Sequence, residues 1–241
     1  MSPRWERFIR LAPILGVAGS ASAIAAVAIV ASVYAGAHGE RYSLLDHFIS
    51  ELGQVGVSRG AWLFNAGLVA AGLLFIPHSV GLGLRIRGAW AYLGMAAGIC
   101  AGVSCAGVGL FPMNHLGAHI FVAMWFFRFG LLTTLLFGIA ILAAPRSRAR
   151  VGRSTAIFSL LAVAAYAGFL AIASVPGAGG GDPLDPSSYA HRPRVWLLAV
   201  IEWVVFFTTI LWFLGGALAV SARDRRSATP SGRTTAPRRR A

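Results

Sequence analysis

The chain has 241 residues, of which 57% are hydrophobic and only 12% are charged, and its mean hydropathy is +0.70. Soluble globular domains carry about 25% charged residues, so this composition excludes both a soluble domain and a largely disordered chain. The formal net charge is +13, and all 21 basic residues are arginines. Because most of these arginines lie in short loops and tails, they indicate membrane topology and contact with anionic lipids rather than binding of nucleic acid.

Six apolar segments are long enough to cross a membrane as helices, which takes about 20 residues for a hydrocarbon core of about 30 Å. They cover 11–36, 61–84, 89–110, 116–143, 155–175 and 195–220. The predicted fold class is therefore all-α integral membrane: a six-transmembrane-helix bundle with a short outer interfacial helix, occupying residues 1–222. Residues 223–241 are rich in Arg, Ser, Thr and Pro, and this composition predicts a disordered cytoplasmic tail.

The arginines are distributed unequally between the two sides of the membrane. Sixteen of them precede the first span, follow the second and fourth spans, or lie in the C-terminal tail. Four lie in the loops of the other side, and Arg128 lies within a span. The positive-inside rule then predicts that both termini are cytoplasmic and that the loop 37–60 faces outward.

Small residues recur at four-residue spacing in two of the predicted spans. Gly94, Gly98 and Gly102 follow one another in the third span, and Gly67 and Ala71 repeat the pattern in the second. Such a face lets a neighbouring helix backbone approach closely. We expect it to serve packing within the bundle, with a homodimer contact through these faces as the alternative.

The loop from Arg41 to Asn65 holds the densest group of polar residues outside the tails. Ser43 followed three residues later by Asp46 resembles a capping box, and Gly53 is a plausible helix end, so the pattern predicts a short helix at the outer interface. Its apolar face would consist of Leu44, Leu45, Phe48, Ile49 and Leu52, and its polar face of Asp46, His47, Ser50 and Glu51. This polar face either touches water or covers a polar cavity between the spans.

Several polar residues of the spans fall at the same outer depth, and this favours the cavity. Asn65 begins the second span, His115 and His119 begin the fourth, and Glu202 lies about 10 Å inside the sixth. Ionisable groups at such depths are costly beside lipid and are expected to face the bundle interior. We regard Asn65, Arg128, Glu202 and Arg41 as candidate binding residues.

Arg128 lies deeper, about 18 Å into the fourth span. A guanidinium there needs a partner, and the acid nearest in depth is Glu202. We therefore expect an Arg128–Glu202 pair, with extension of the arginine toward an interface as the alternative. Arg41 could bind a headgroup phosphate or anchor the interface.

Two histidines four residues apart plus a carboxylate resemble part of a zinc ligand set. His115 and His119 would supply two ligands, and Glu51, Asp46 or Glu202 the third. Such a zinc would generate a hydroxide nucleophile beside the lipid headgroups. The glutamate of the HExxH pattern is absent, because Leu116 follows His115, so ordinary hydrogen bonding of both histidines is the alternative. The candidate catalytic residues are Asp46, His47, Ser50, Glu51, His115 and His119.

The run YSLLDHFISELGQVGVSRGAWLFNAGLVAAGLL and the later stretch from Gly109 to His119 resemble a family of bacterial and archaeal six-helix membrane proteins, the domain-of-unknown-function family 998. The resemblance covers roughly residues 11–220. It implies six spans with an outer loop but no assigned reaction. The family is distantly similar to the FRAG/DRAM/Sfk group, whose members are associated with membrane lipid organisation, although Ser58 stands near where that group often has proline.

Three functions are compatible with these residues. The first is a non-enzymatic protein that interacts with membrane lipids through an outer-leaflet cavity. The second is an intramembrane lipid-modifying enzyme, such as a metal-dependent hydrolase, and the third is a small transporter subunit. Paired broken helices at mid-membrane, which many transporters use, are not evident in the sequence.

Overall fold

The fold is seen in a computed structural model that describes residues 2–37, 39–144, 151–175, 177 and 191–228, with side chains up to residue 220. All regular elements in these ranges are helices. The six long helices are α1 (Pro3–Val33), α2 (Ala61–Ile86), α3 (Ala89–Leu110), α4 (Leu116–Ala143), α5 (Ala156–Ala173) and α6 (Leu197–Ala228). Three short 3₁₀ turns lie at Ile49–Gly53, Met113–His115 and Arg153–Thr155.

Six stretches of helix are long and apolar enough to cross a membrane, which confirms the predicted fold class and the six spans. Two boundaries differ from the prediction by more than three residues. Helix α1 begins at Pro3, well before residue 11, because Pro is favourable in the first helical turn. Helix α6 continues to Ala228, so residues 223–228 of the predicted tail are helical, and residues 229–241 lie outside the described part of the chain.

The helices pack in chain order around a ring, and α6 closes the ring against α1. Each helix therefore has two main neighbours and turns one face toward a common centre. Aromatic side chains fill much of that centre: Phe75 of α2 stacks on Phe213 of α6 with ring centroids 3.8 Å apart. The opposite faces carry exposed apolar side chains such as Trp62 and Leu160, as expected of helices that meet lipid.

The small-residue faces are used inside this ring. A methyl group added at Gly72 would lie 2.5 Å from the Gly102 carbonyl oxygen, and one added at Gly98 would lie 2.5 Å from the Ser79 hydroxyl. A methyl group added at Gly67 would likewise lie too close to the Ala26 side chain of α1. These positions hold helices of the same chain together, so the predicted intrachain packing is observed. A homodimer through these particular faces would have to compete with that packing.

Side chains of α2 bind backbone carbonyl groups near the N-terminal end of α1, one of which is freed by a proline. Pro13 lies inside the helix and has no N–H to donate to the Ile9 carbonyl four residues earlier. Arg85 of α2 donates its Nη2 to that carbonyl at 3.4 Å, and His78 donates Nδ1–H to the neighbouring Ala12 carbonyl at 3.1 Å. Side chains of α2 thus satisfy backbone groups of α1 where water is scarce.

Candidate functional site

The loop between α1 and α2, residues 34–60, folds into one end of the ring, which we call the loop end. It contains the predicted short helix, but this is the 3₁₀ turn Ile49–Gly53 rather than a helix that starts after Ser43. The capping box is formed by Glu51, whose carboxylate accepts the Phe48 N–H at 2.8 Å. The Ser43/Asp46 box is therefore wrong, and the Ser43 hydroxyl instead accepts the Leu45 N–H in a local turn.

The polar and apolar faces predicted for this segment are also reversed in part. His47 is 2% exposed and Glu51 is 1% exposed, whereas Leu44 and Leu45 are about half exposed. Regular helical periodicity does not apply, because residues 44–46 form a turn and only the following residues form the 3₁₀ helix. The side chains of His47, Ser50 and Glu51 consequently point into the protein, and the loop covers a cavity at the centre of the ring. The expected polar cavity is wrong in one respect, because the walls of this cavity are almost entirely apolar.

An ion pair between Glu51 and Arg192 anchors the loop to the segment before α6. Arg192 donates Nη1–H to Oε1 at 3.0 Å and Nη2–H to Oε2 at 2.6 Å, and it also donates to the Asp46 carbonyl at 2.9 Å. Burial alone would lower the pKa of the Arg192 guanidinium, but the hydrogen bond and the negative charge of Glu51 outweigh this effect and raise it. Glu51 therefore stabilises the protonated form of the Arg192 guanidinium.

Two side chains of α6 bind the backbone of the same loop. Glu202 accepts the Ile49 N–H through Oε2 at 2.8 Å, and Trp203 donates its indole N–H to the His47 carbonyl at 3.3 Å. Within the loop, Tyr42 donates its hydroxyl to the Phe48 carbonyl at 2.8 Å. Buried backbone groups that make no hydrogen bonds within a helix or sheet need such partners. The loop is thus held at successive peptide groups from residue 46 to residue 49.

His47 and Asp46 form a second pair in this loop. Their Nδ1 and Oδ1 atoms are 2.8 Å apart. The rings of Tyr34 and Tyr42 contact the His47 imidazole, with centroids 5.5 and 5.2 Å away. An imidazole enclosed by two tyrosines has no path to a substrate in the ring, so this geometry favours a structural role.

Asn65 and Asn114 connect the loop to the neighbouring helices. Asn65 of α2 donates its amide to the Gly53 carbonyl at 3.0 Å. Asn114, between α3 and α4, accepts the Val55 N–H at 2.8 Å and donates to the Val55 carbonyl at 2.9 Å. Both ends of the loop segment 46–55 are therefore fixed by side chains.

Beneath the loop, the ring encloses a cavity of about 90 Å³. Its walls come from α1, α2, α3, α4, α6 and the loop, and they are almost entirely apolar. The lining residues of α6 follow helical spacing: Glu202, Val205, Phe206, Thr209 and Ile210. A second, smaller cavity of about 20 Å³ shares Phe75, Phe126 and Thr209 with the first and extends toward Trp212. The apolar space is therefore elongated along the bundle.

Three of the candidate site residues line the main cavity: Ser50, His119 and Glu202. His119 donates Nδ1–H to the Phe111 carbonyl at 2.8 Å, which accounts for the hydrogen bonding expected of it. Asp46, His47 and Glu51 lie in the loop above the cavity, and His115 is exposed at the start of α4. Of the six predicted catalytic residues, only Ser50 and His119 therefore line the cavity.

The expected pairing of Arg128 with Glu202 is wrong. Arg128 is exposed, and its guanidinium lies over the Trp125 ring at 5.3 Å, whereas Glu202 is committed to the Ile49 N–H inside the ring. Arg128 therefore lies on the outer surface of α4, whereas Glu202 faces the centre of the ring. Arg41 is exposed in the loop, where both roles suggested for it stay predictions.

The zinc site is not assembled. His115 and His119 diverge, one exposed and one buried, and Glu51 is occupied by Arg192. In the part of the chain that the structure describes, His, Cys, Asp and Glu side chains form no group of three that could hold a metal. The residues present therefore do not fit a zinc ion, and no step of a reaction is derived through one.

Arg192 is the residue of this site that sequence reasoning missed. It was assigned only to membrane topology, as one of four arginines on the loop side. The signal was available, because a buried Glu51 needs a cation and few cations share its side of the membrane. Only the fold shows that Arg192, rather than Arg194 or Arg59, reaches it.

Comparison with known proteins supports the resemblance found in the sequence. The family model described as "Protein of unknown function (DUF998)" matches residues 22–220. Neither a curated protein nor a solved structure matches the chain.

Proposed function

Since this chain belongs to the DUF998 family of proteins of unknown function, we propose a function from the site itself: the protein binds the apolar chain of a membrane amphiphile in the cavity at the centre of its ring. The observation that carries the proposal is the cavity of about 90 Å³, which is lined mostly by apolar side chains and capped by a polar loop. Ligand sites have this composition, with mostly apolar walls and a few fixed polar groups.

The position of the polar groups supports an amphiphile over a purely apolar molecule. Ser50, His119 and Glu202 lie at the loop end of the cavity, and the other end is bounded by Phe75 and Ile210. A molecule with a polar head and an apolar tail matches this arrangement of polar and apolar side chains. An empty cavity of this size would forfeit packing contacts in a bundle that depends on packing for its stability.

The arginine distribution supports an orientation for this site. The loop end lies opposite the side that carries most of the arginines, so the ligand headgroup would lie near the outer leaflet of a prokaryotic plasma membrane. This part of the proposal is tested by labelling single cysteines introduced at exposed Arg59 and Arg153 in intact cells. Labelling of position 59 alone by an impermeant reagent is expected.

The ligand itself is tested by purifying the full chain in a mild detergent, extracting it with organic solvent and identifying co-purified amphiphiles by mass spectrometry. The variant Ala123→Phe fills the cavity, since Ala123 lines it. The matched control is Ala118→Phe on the same helix, where the side chain is exposed. We expect bound amphiphile in the wild type and the control and much less in Ala123→Phe.

Two outcomes contradict the proposal. One is a wild-type protein that carries no amphiphile after purification from native membranes. The other is equal retention in both variants, which would place any bound lipid on the outer surface. If Ala123→Phe does not fold, Ala123→Leu reduces the same space by a smaller volume and gives the same comparison.

A further inference from the structure

The hydrogen-bonding groups that line the cavity determine which headgroups it accepts. A polar ligand can use only the donors and acceptors that the protein has not already paired. The lining polar residues are Ser50, His119, Glu202, Thr209 and Cys105.

The donors of four of these groups are directed at the protein. His119 uses Nδ1–H for the Phe111 carbonyl, and Thr209 donates its hydroxyl to the Tyr166 oxygen at 2.8 Å. The Cys105 thiol points to the Leu68 carbonyl at 3.7 Å, and Ser50 donates to the thioether of Met113 at 3.3 Å. These four groups can therefore accept hydrogen bonds from a ligand in the cavity, through their remaining lone pairs.

Glu202 adds the strongest acceptor. Its Oε2 accepts the Ile49 N–H, and no hydrogen bond from the described residues reaches Oε1. When the carboxyl group is ionised, both of its oxygens can only accept hydrogen bonds. A cationic headgroup beside it would favour the ionised form, whereas an anionic headgroup would be repelled.

Among the described residues, no arginine lines the cavity, so it offers no guanidinium to a phosphate or carboxylate. The nearest cation of the site, Arg192, is held by both oxygens of Glu51. Anionic headgroups are typically bound by arginine or by free backbone N–H groups. The lack of an arginine among the described lining residues separates this cavity from a typical phospholipid headgroup site.

From this pattern we infer that the cavity is specific for a single-chain amphiphile whose headgroup donates hydrogen bonds and carries no negative charge, an alkyl alcohol or an alkyl amine. The inference rests on the proposed function, because it assigns a headgroup to the chain that the cavity holds. Glu202 and the Nε2 atom of His119 are the acceptors that select it.

The test uses the full chain in nanodiscs of phosphatidylcholine and four photoreactive probes of equal chain length: an alcohol, an amine, a carboxylic acid and an alkyl phosphate. Labelled peptides are mapped by mass spectrometry to the cavity-lining parts of α2, α4 and α6. We expect the alcohol and the amine to label these segments about tenfold more than the acid or the phosphate, as one charge-assisted hydrogen bond allows.

Glu202→Gln identifies the selecting group. The glutamine keeps a carbonyl oxygen for the Ile49 N–H but adds a donor and removes the charge, so the amine-to-acid ratio should fall by about tenfold. Glu6→Gln is the matched control, since it removes the same charge from an exposed position of α1. That control should leave the ratio unchanged.

Each other outcome has a definite meaning. Equal labelling of the cavity by all four probes overturns the headgroup inference and leaves the chain-binding function standing. Preference for the acid or the phosphate also overturns it. Absence of cavity labelling by every probe overturns the proposed function and the inference together. The wild-type ranking decides the matter even if Glu202→Gln does not fold.

Discussion

Arg192 binds both carboxylate oxygens of Glu51, at 3.0 and 2.6 Å, and so joins the segment before the sixth helix to the loop that follows the first. The two residues are 141 positions apart, and Glu51 is 1% exposed. This contact and the bond from the Ile49 N–H to Glu202 hold the loop over the cavity at two loop positions that are two residues apart.

Removing one partner of this pair should be costly. Arg192→Ala leaves the Glu51 charge buried and unpaired, so we expect the free energy of unfolding to fall by about 3 kcal/mol. Arg192→Lys should recover part of this loss, because an ammonium group cannot bind both oxygens in the same fork. The measurement is unfolding of the purified protein in detergent. Arg194→Ala, at an exposed neighbour, is the control, and an equal effect there would contradict the role assigned to Arg192.

Stability should fall in alkaline solution through Tyr42. Burial, with the negative charges of Glu202 and Glu51, raises the pKa of this phenol above its ordinary value of 10.0. The unfolded chain therefore loses the proton at a lower pH than the folded chain, so the stabilisation is complete below about pH 10 and declines as the pH rises further. Tyr42→Phe should be less stable at neutral pH by about 1 kcal/mol, because its bond to Phe48 is lost.

The slope of stability against pH separates these two effects. Above about pH 10, Tyr42→Phe should lose stability less steeply than the wild type, since it has no proton to release. Parallel slopes for the two proteins would show that Tyr42 does not titrate differently in the folded and unfolded states.

The link between Asn114 and Val55 should control the mobility of the loop. Asn114→Ala removes two hydrogen bonds to one residue, and we expect faster hydrogen exchange at Val55 with a loss of about 1 kcal/mol in local opening free energy. Asn114→Asp keeps the acceptor for the Val55 N–H and should show a smaller effect. Unchanged exchange in Asn114→Ala would mean that the contact is not populated in solution.

Close approach of α2 and α3 should make Gly72 intolerant of any side chain. A methyl group there would lie 2.5 Å from the Gly102 carbonyl oxygen and 2.6 Å from the Ala106 nitrogen, which are backbone atoms that cannot move aside. Gly72→Ala should therefore destabilise the protein by about 1–3 kcal/mol. The control is Gly117→Ala in α4, where the added methyl group meets open space, and thermal unfolding of the two variants should differ clearly.

The six spans were predictable because they depend on local composition. Each stretch of about 20 apolar residues favours the membrane by itself, and inside a membrane the backbone must be helical. The depth of His119 and Glu202 followed from the same counting, since a helix rises 1.5 Å per residue. The depth of a residue depends only on its position along the span, so it can be counted from the sequence.

The direction in which a side chain points around its helix is different, because it depends on contacts with other helices and not on local composition. Glu202 is the acid expected to pair with Arg128, yet Arg128 is exposed beside Trp125 and Glu202 lies inside the ring. The rotation of a helix about its axis determines which of its faces meets the centre of the ring. Close packing against neighbouring helices, as at Gly72 and Gly102, fixes that rotation. These contacts join distant parts of the chain.

The loop shows the same division. Its composition indicated a polar structure at one end of the bundle, but the local signals at Ser43 and Asp46 predicted the wrong cap, and the buried pair with Arg192 had no local signature. The free energy gained by satisfying buried backbone and charged groups outweighs the small preference of an isolated helix cap. The sequence by itself therefore determined the spans and the depth of the polar groups, and the tertiary structure decided which of those groups meet in one cavity.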